Sequence, residues 1–166
     1  MRKIAFFALV FVFVSGLCFA ADPVEGYWIS MDEKSGKATA GWEIYTVGNQ
    51  LFGKILSVAD HPQAEKASKC KDSYAGFPVQ GKVSEMTVVG TPWIFNLTMD
   101  KAGNWSGGQI IDPNDGKMYK CKITFRPLDG KKYSKDTLEM RGEIGLGIGR
   151  SQYWQKATKD EASALR

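Results

Sequence analysis

Histidine is nearly absent from this chain: His61 is the only one in 166 residues. Cysteine is scarce, with Cys18, Cys70 and Cys121 and no Cys-x-x-Cys pair. A structural metal site needs three or four ligands at close spacing, so no metal or other cofactor is expected. There is no Gly-x-Ser-x-Gly, and His61 sits in a polar stretch without the nucleophile and orienting carboxylate that hydrolytic catalysis requires. It reads as an exposed loop histidine, and no catalytic residue is assigned. Asp112, Asn114 and Asp115 lack the later bidentate glutamate of an EF-hand and read as a hairpin turn with Pro113 and Gly116. Basic runs with interleaved aromatics are missing, as are repeats, low-complexity tracts and any sustained helical period. Nucleic acid is therefore not an expected partner.

No apolar run is long enough to cross a bilayer comfortably. The longest, Ile4 to Leu17, follows Arg2 and Lys3 and precedes Cys18-Phe19-Ala20, with small residues at the −3 and −1 positions of a cleavage site. Residues 1–20 are read as a signal peptide cut after Ala20. A retained anchor and lipidation at Cys18 are the alternatives, the second disfavoured by the bulk of Leu17. Cleavage leaves residues 21–166 as a single domain in the bacterial periplasm or secreted, with no transmembrane segment. The net charge drops from +4 to +2 as Arg2 and Lys3 leave. Cys70 and Cys121 then remain. In an exported protein they most simply form one disulfide, with two free thiols as the alternative.

What the chain does have is alternation. Strands are expected at Gly26–Met31, Thr39–Val47, Leu51–Val58, Val79–Val89, Pro92–Met99, Trp105–Ile111, Lys117–Arg126, Thr137–Ile144 and Arg150–Ala157. In the seventh, Tyr119, Cys121, Ile123 and Phe125 share one face, and Lys120, Lys122, Thr124 and Arg126 the other. In the eighth, Leu138, Met140, Gly142 and Ile144 oppose Glu139, Arg141 and Glu143. Residues 59–77 break the rhythm and read as one long loop with a helical turn near Gln63 to Lys69. A long loop in a small domain is commonly a lid or a functional element. The tail from Lys159 reads as a frayed helical end. Hairpin-linked strands at this spacing predict an all-β, antiparallel up-and-down barrel of about 8–10 strands, because closure removes exposed edges.

Aromatic residues exceed what a minimal core needs. Core packing explains most of them; the sharper reading is a partly open apolar cavity. Trp28, Tyr45, Trp93, Phe95, Arg141 and Arg150 are the candidate ligand-binding residues. Arg141 qualifies only if its strand face points inward. Trp93 to Met99 is apolar on both faces, so the long loop or a partner is expected to cover one of them.

The motifs Gly26-Tyr27-Trp28, Glu43-Ile44-Tyr45, Leu51-Phe52-Gly53-Lys54-Ile55, Trp105-Ser106-Gly107-Gly108, Ile111 to Lys122, Leu138 to Gly142 and Gly149 to Trp154 occur in the order of a bacterial family. On them the chain resembles the domain-of-unknown-function family numbered 2147. The resemblance spans nearly all of residues 21–166. It implies an exported small domain with no established activity. Members often carry a second cysteine near the position of Cys70, where this chain has Lys71, Asp72 and Ser73. A further resemblance runs to lipocalin and fatty-acid-binding barrels, through Gly26-Tyr27-Trp28 and a C-terminal arginine. It implies that Arg150 stacks on Trp28 at the closed end of a lipocalin-like barrel. The function expected is non-enzymatic binding of a small lipophilic or amphipathic ligand. The alternative is an envelope protein–protein interaction module with a filled barrel.

Overall fold

The computed structural model describes residues 21–166 apart from Leu146. The expected leader, residues 1–20, lies outside the described residues. Eight strands follow in sequence: β1 (Gly26–Met31), β2 (Ala38–Val47), β3 (Gln50–Val58), β4 (Pro92–Lys101), β5 (Asn104–Asp112), β6 (Lys117–Arg126), β7 (Thr137–Gly145) and β8 (Ile148–Ala157). Each pairs antiparallel with its sequence neighbours, and β1 pairs with β8, so the sheet closes into an up-and-down barrel. Among the described residues no strand edge is left unpaired. Among the described residues no helix is long and apolar enough to cross a membrane.

The register fixes inside and outside. Trp28 faces Trp42 and Lys156, Ser30 faces Trp154, and Leu138 faces both Phe125 and Trp154. Alternation from these pairs sends Trp42, Ile44, Tyr119, Cys121, Ile123, Leu138, Met140, Gln152 and Trp154 inward. Glu139, Arg141 and Glu143 point outward. The inner and outer faces expected for β6 and β7 are thus the observed ones.

One end of the barrel is sealed. The Trp28 Nε1 donates to Val24 O at 2.9 Å, and Asp22 accepts from Gly103 N at 2.9 Å and from Trp105 Nε1 at 3.2 Å. The N-terminal segment therefore lies across the bottom, with Val24, Trp28 and Trp105 buried. A short helix, α1 (Lys159–Ser163), is held by a Thr158–Glu161 capping box and seats against β2 and β3. Ser57 Oγ donates to Ala162 O at 2.7 Å. A side chain at Gly41 would overlap that same carbonyl, so glycine is what lets the helix dock.

The stretch Val79–Val89 is not a strand. It contains one 3-10 turn, Val83–Glu85, and a single bridge from Lys66 to Thr87. Its apolar residues look strand-like because they cover the outside of β4. Phe77 packs 6.3 Å from Trp93 and 5.4 Å from Phe95 between ring centres, and Trp93 Nε1 donates to Val88 O at 2.7 Å. The doubly apolar β4 is covered by the loop between β3 and β4. No helical turn forms at Gln63 to Lys69; isolated turns at Pro62–Glu65 and Ala67–Cys70 replace it.

The expected disulfide is also corrected. Cys70 and Cys121 are both free and buried. Cys121 points into the barrel between its cross-strand neighbours Gly108 and Gly142. Cys70 lies outside it, against the β5–β6 turn at Gly116. The sheet stands between the two thiols.

Candidate functional site

The end opposite Trp28 is open. A cavity of about 900 Å³ runs into the barrel from there. Its wall includes Trp42, Ile55, Ile110, Tyr119, Met140 and Gln152, contributed by six different strands. The floor is Trp42, backed by Trp154, with the two ring centres 4.6 Å apart and planes 22° apart. Offset stacks of this kind hold both rings in one orientation. Their N–H groups are spent internally: Trp42 Nε1 donates to Ser30 Oγ at 3.2 Å, and Trp154 Nε1 to Gln152 Oε1 at 3.1 Å. Among the described residues no buried side-chain nitrogen or oxygen lacks a partner. The floor thus presents the Trp42 indole to the cavity, and the polar edges of the pair are already satisfied.

The rim is mixed. Ile144 and Ile148 flank the β7–β8 turn, line the cavity and are largely exposed. Lys37, Asp32, Asp60, His61, Asp112 and Arg150 supply charged or titratable groups. His61 lies in the exposed loop, with Nδ1 2.9 Å from Glu65 Oε2. Among the described residues no group of three potential metal ligands converges.

Arg150 is the one candidate that lines this cavity. It does not touch Trp28 as the arginine–tryptophan analogy implies. Arg150 pairs with Gly142 at the mouth, six residues along β8 from Lys156, which pairs with Trp28. Six residues of strand span roughly 20 Å. Lys156 takes the role instead, with its Nζ 4.3 Å from the Trp28 ring centre and 2.8 Å from Glu25 O. Trp28 belongs to the sealed floor of the barrel, below the cavity.

The other candidates lie on the outer surface. Tyr45 stacks on Phe52 at 5.9 Å, with Lys54 Nζ 5.2 Å from its ring centre. Trp93 and Phe95 are buried under Phe77 of the long loop. Arg141 is outward, 2.7 Å from Glu143 and donating to Gly147 O at 2.8 Å. An outward side chain on a closed sheet cannot reach the interior, so these residues cannot contact anything inside the barrel.

Sequence reasoning missed Trp42, Tyr119, Met140 and Gln152 as cavity residues. The signal was present for two of them. Tyr119 and Met140 each sat on the apolar face of a strand whose two faces the sequence separates. Gln152 gave no comparable signal, since an inward glutamine is polar and breaks the pattern.

The solved structure of a protein from Helicobacter pylori, HP1028, described as belonging to the lipocalin family, superimposes with a TM-score of 0.63 at 16% sequence identity. The match covers 82% of this chain and 84% of that one, and shows that the two share a fold. No curated protein sequence matches the chain. The sequence model of a family described as "Uncharacterized protein conserved in bacteria" matches residues 26–156, so this lipocalin-like barrel belongs to the DUF2147 family.

Proposed function

We propose that the protein binds a small apolar or amphipathic molecule, without chemical conversion, in the open end of its barrel. The observation that carries this reading is the one-ended cavity of about 900 Å³, which falls in the size range of small-molecule sites. Its floor is apolar and internally satisfied, and the exposed isoleucines at the rim extend the apolar surface to the entrance. A ligand tail seated on the Trp42–Trp154 stack would lose water from both partners. That is favourable by ~25 cal/mol per Å² of apolar area before the costs of association. The reading places the protein in the periplasm after loss of residues 1–20, in accord with the charged start, apolar run and Cys18-Phe19-Ala20 ending of the sequence.

Native mass spectrometry of the protein purified from its own periplasm tests both parts. The expected spectrum shows residues 21–166 carrying a small adduct that solvent extraction removes. Bare protein that takes up no added lipophile would favour the second reading, an envelope interaction module. The exposed Ile144 and Ile148 would then be its contact surface.

A further inference from the structure

Arg150 is the only guanidinium lining the cavity among the described residues. It stands on the inward face of β8 at the rim, two residues above Gln152 and four above Trp154, which backs the floor. Its Nε and Nη2 both donate to a single oxygen, Glu33 Oε2, at 3.2 and 2.9 Å. A guanidinium fork matches two carboxylate oxygens better than one, so this pairing underuses it.

Glu33 is not needed to shape its own loop. The β1–β2 connection is built by Asp32, whose Oδ1 accepts from Lys34 N, Ser35 N and Ser35 Oγ, and by backbone bonds from Asp32 N to Lys37 O and Gly36 N to Asp32 O. The Glu33 carboxylate is a pendant group reaching across the mouth. The pair is also open to water, with 66% of the Arg150 side chain and 34% of the Glu33 side chain exposed. Ion pairs this exposed contribute little and exchange easily.

We infer that Arg150 recognises the carboxylate of an amphiphile whose tail enters the cavity, and that Glu33 is a built-in competitor which holds the guanidinium until that carboxylate displaces it. The inference rests on the ligand-binding reading above and specifies its ligand class.

The remaining charges at the mouth sharpen this role. Asp32, Asp60 and Asp112 also line the opening, and Lys37 is the one lysine there. Asp112 Oδ1 accepts from Asn114 N at 2.9 Å in the β5–β6 turn, and Asp32 is committed to its loop. These carboxylates stay in place and repel an anion. A carboxylate ligand therefore gains most at this mouth by engaging the Arg150 fork, the one group there that can bind both of its oxygens. Removing Glu33 takes away both a competitor and one repelling charge.

The test is a fluorescence titration of the purified protein with dodecanoate and with dodecan-1-ol, its uncharged analogue of equal chain length, using wild type, Arg150→Gln and Glu33→Gln. Both positions are on the exposed rim, and neither substitution removes core packing. The expected result is that R150Q weakens dodecanoate about tenfold and E33Q tightens it roughly two- to fivefold, while dodecanol binding is unchanged in both. Dodecanol that binds alongside dodecanoate indifferent to both substitutions would overturn this inference and leave the ligand-binding reading standing. Failure of both probes to bind any of the three proteins would overturn the two together.

Discussion

The Lys156 ammonium lies over the face of Trp28, 4.3 Å from the ring centre, and donates to the Glu25 carbonyl at 2.8 Å. The contact joins the last strand to the first at the sealed end of the barrel. Partial burial pushes the lysine pKa down, and Asp136 opposes the shift. The indole face and the carbonyl both favour the charged form and so oppose the effect of burial. Lys156→Met keeps most of the aliphatic stem and loses the cation. It should lower stability by about 1 kcal/mol in denaturant unfolding, and Lys156→Ala by about 2 kcal/mol. Lys156→Arg should stay close to wild type, because a guanidinium can stack on the same ring. A Met variant as stable as wild type, with the loss confined to Ala, would show that the stem, and not the charge, matters.

A second pairing sets an acid limit to stability. Burial pushes the Glu139 pKa up, but hydrogen bonds from Arg126 and Ser151 outweigh it and hold the carboxyl below its ordinary value. A depressed folded-state pKa stabilises above the unfolded value of about 4.3, and the contribution is lost as pH falls through the folded value. Wild type should therefore exceed Glu139→Gln by about 1 kcal/mol at pH 7, since Arg126 is partly exposed. The gap should shrink as pH falls below the unfolded value and through the depressed folded one. A gap that is constant across this range would assign the effect to shape instead of charge.

The thiols give a third check. Burial pushes the Cys121 thiol far above its ordinary pKa, and burial raises Cys70 as well, with a Tyr74 hydrogen bond opposing. Thiols, unlike thiolates, are poor nucleophiles. Iodoacetamide should leave native protein largely unmodified at neutral pH and label both cysteines after denaturation without reductant. Labelling that needs a reductant would restore the disulfide.

Much of this architecture was legible because alternation carries it. The inward Tyr119–Phe125 face and the outward Glu139–Glu143 face could be read directly. Alternation is blind to two things. It cannot tell apolar residues lining a barrel from apolar residues under a loop, which is why Trp93 and Phe95 were candidates and Val79–Val89 looked like a strand. Nor does it give the register between β1 and β8. Shifting one partner from Lys156 to Arg150 moves the contact from the floor of the barrel to its mouth. Cys70 and Cys121 fell to the same limit, since compartment and count say nothing about which side of a sheet a thiol occupies.

The central claim is that the open end of the barrel is a binding cavity, and a cavity-filling substitution tests it most directly. Met140 lines the wall and is buried, and a tryptophan there would occupy the space above the Trp42–Trp154 stack. The measurement is titration of the uncharged fluorophore N-phenyl-1-naphthylamine into wild type and Met140→Trp, with thermal unfolding run alongside. The account predicts saturable, one-to-one enhancement with wild type, and its loss in the variant while cooperative unfolding is retained. Equal saturable enhancement in both proteins, or none with wild type, would contradict it.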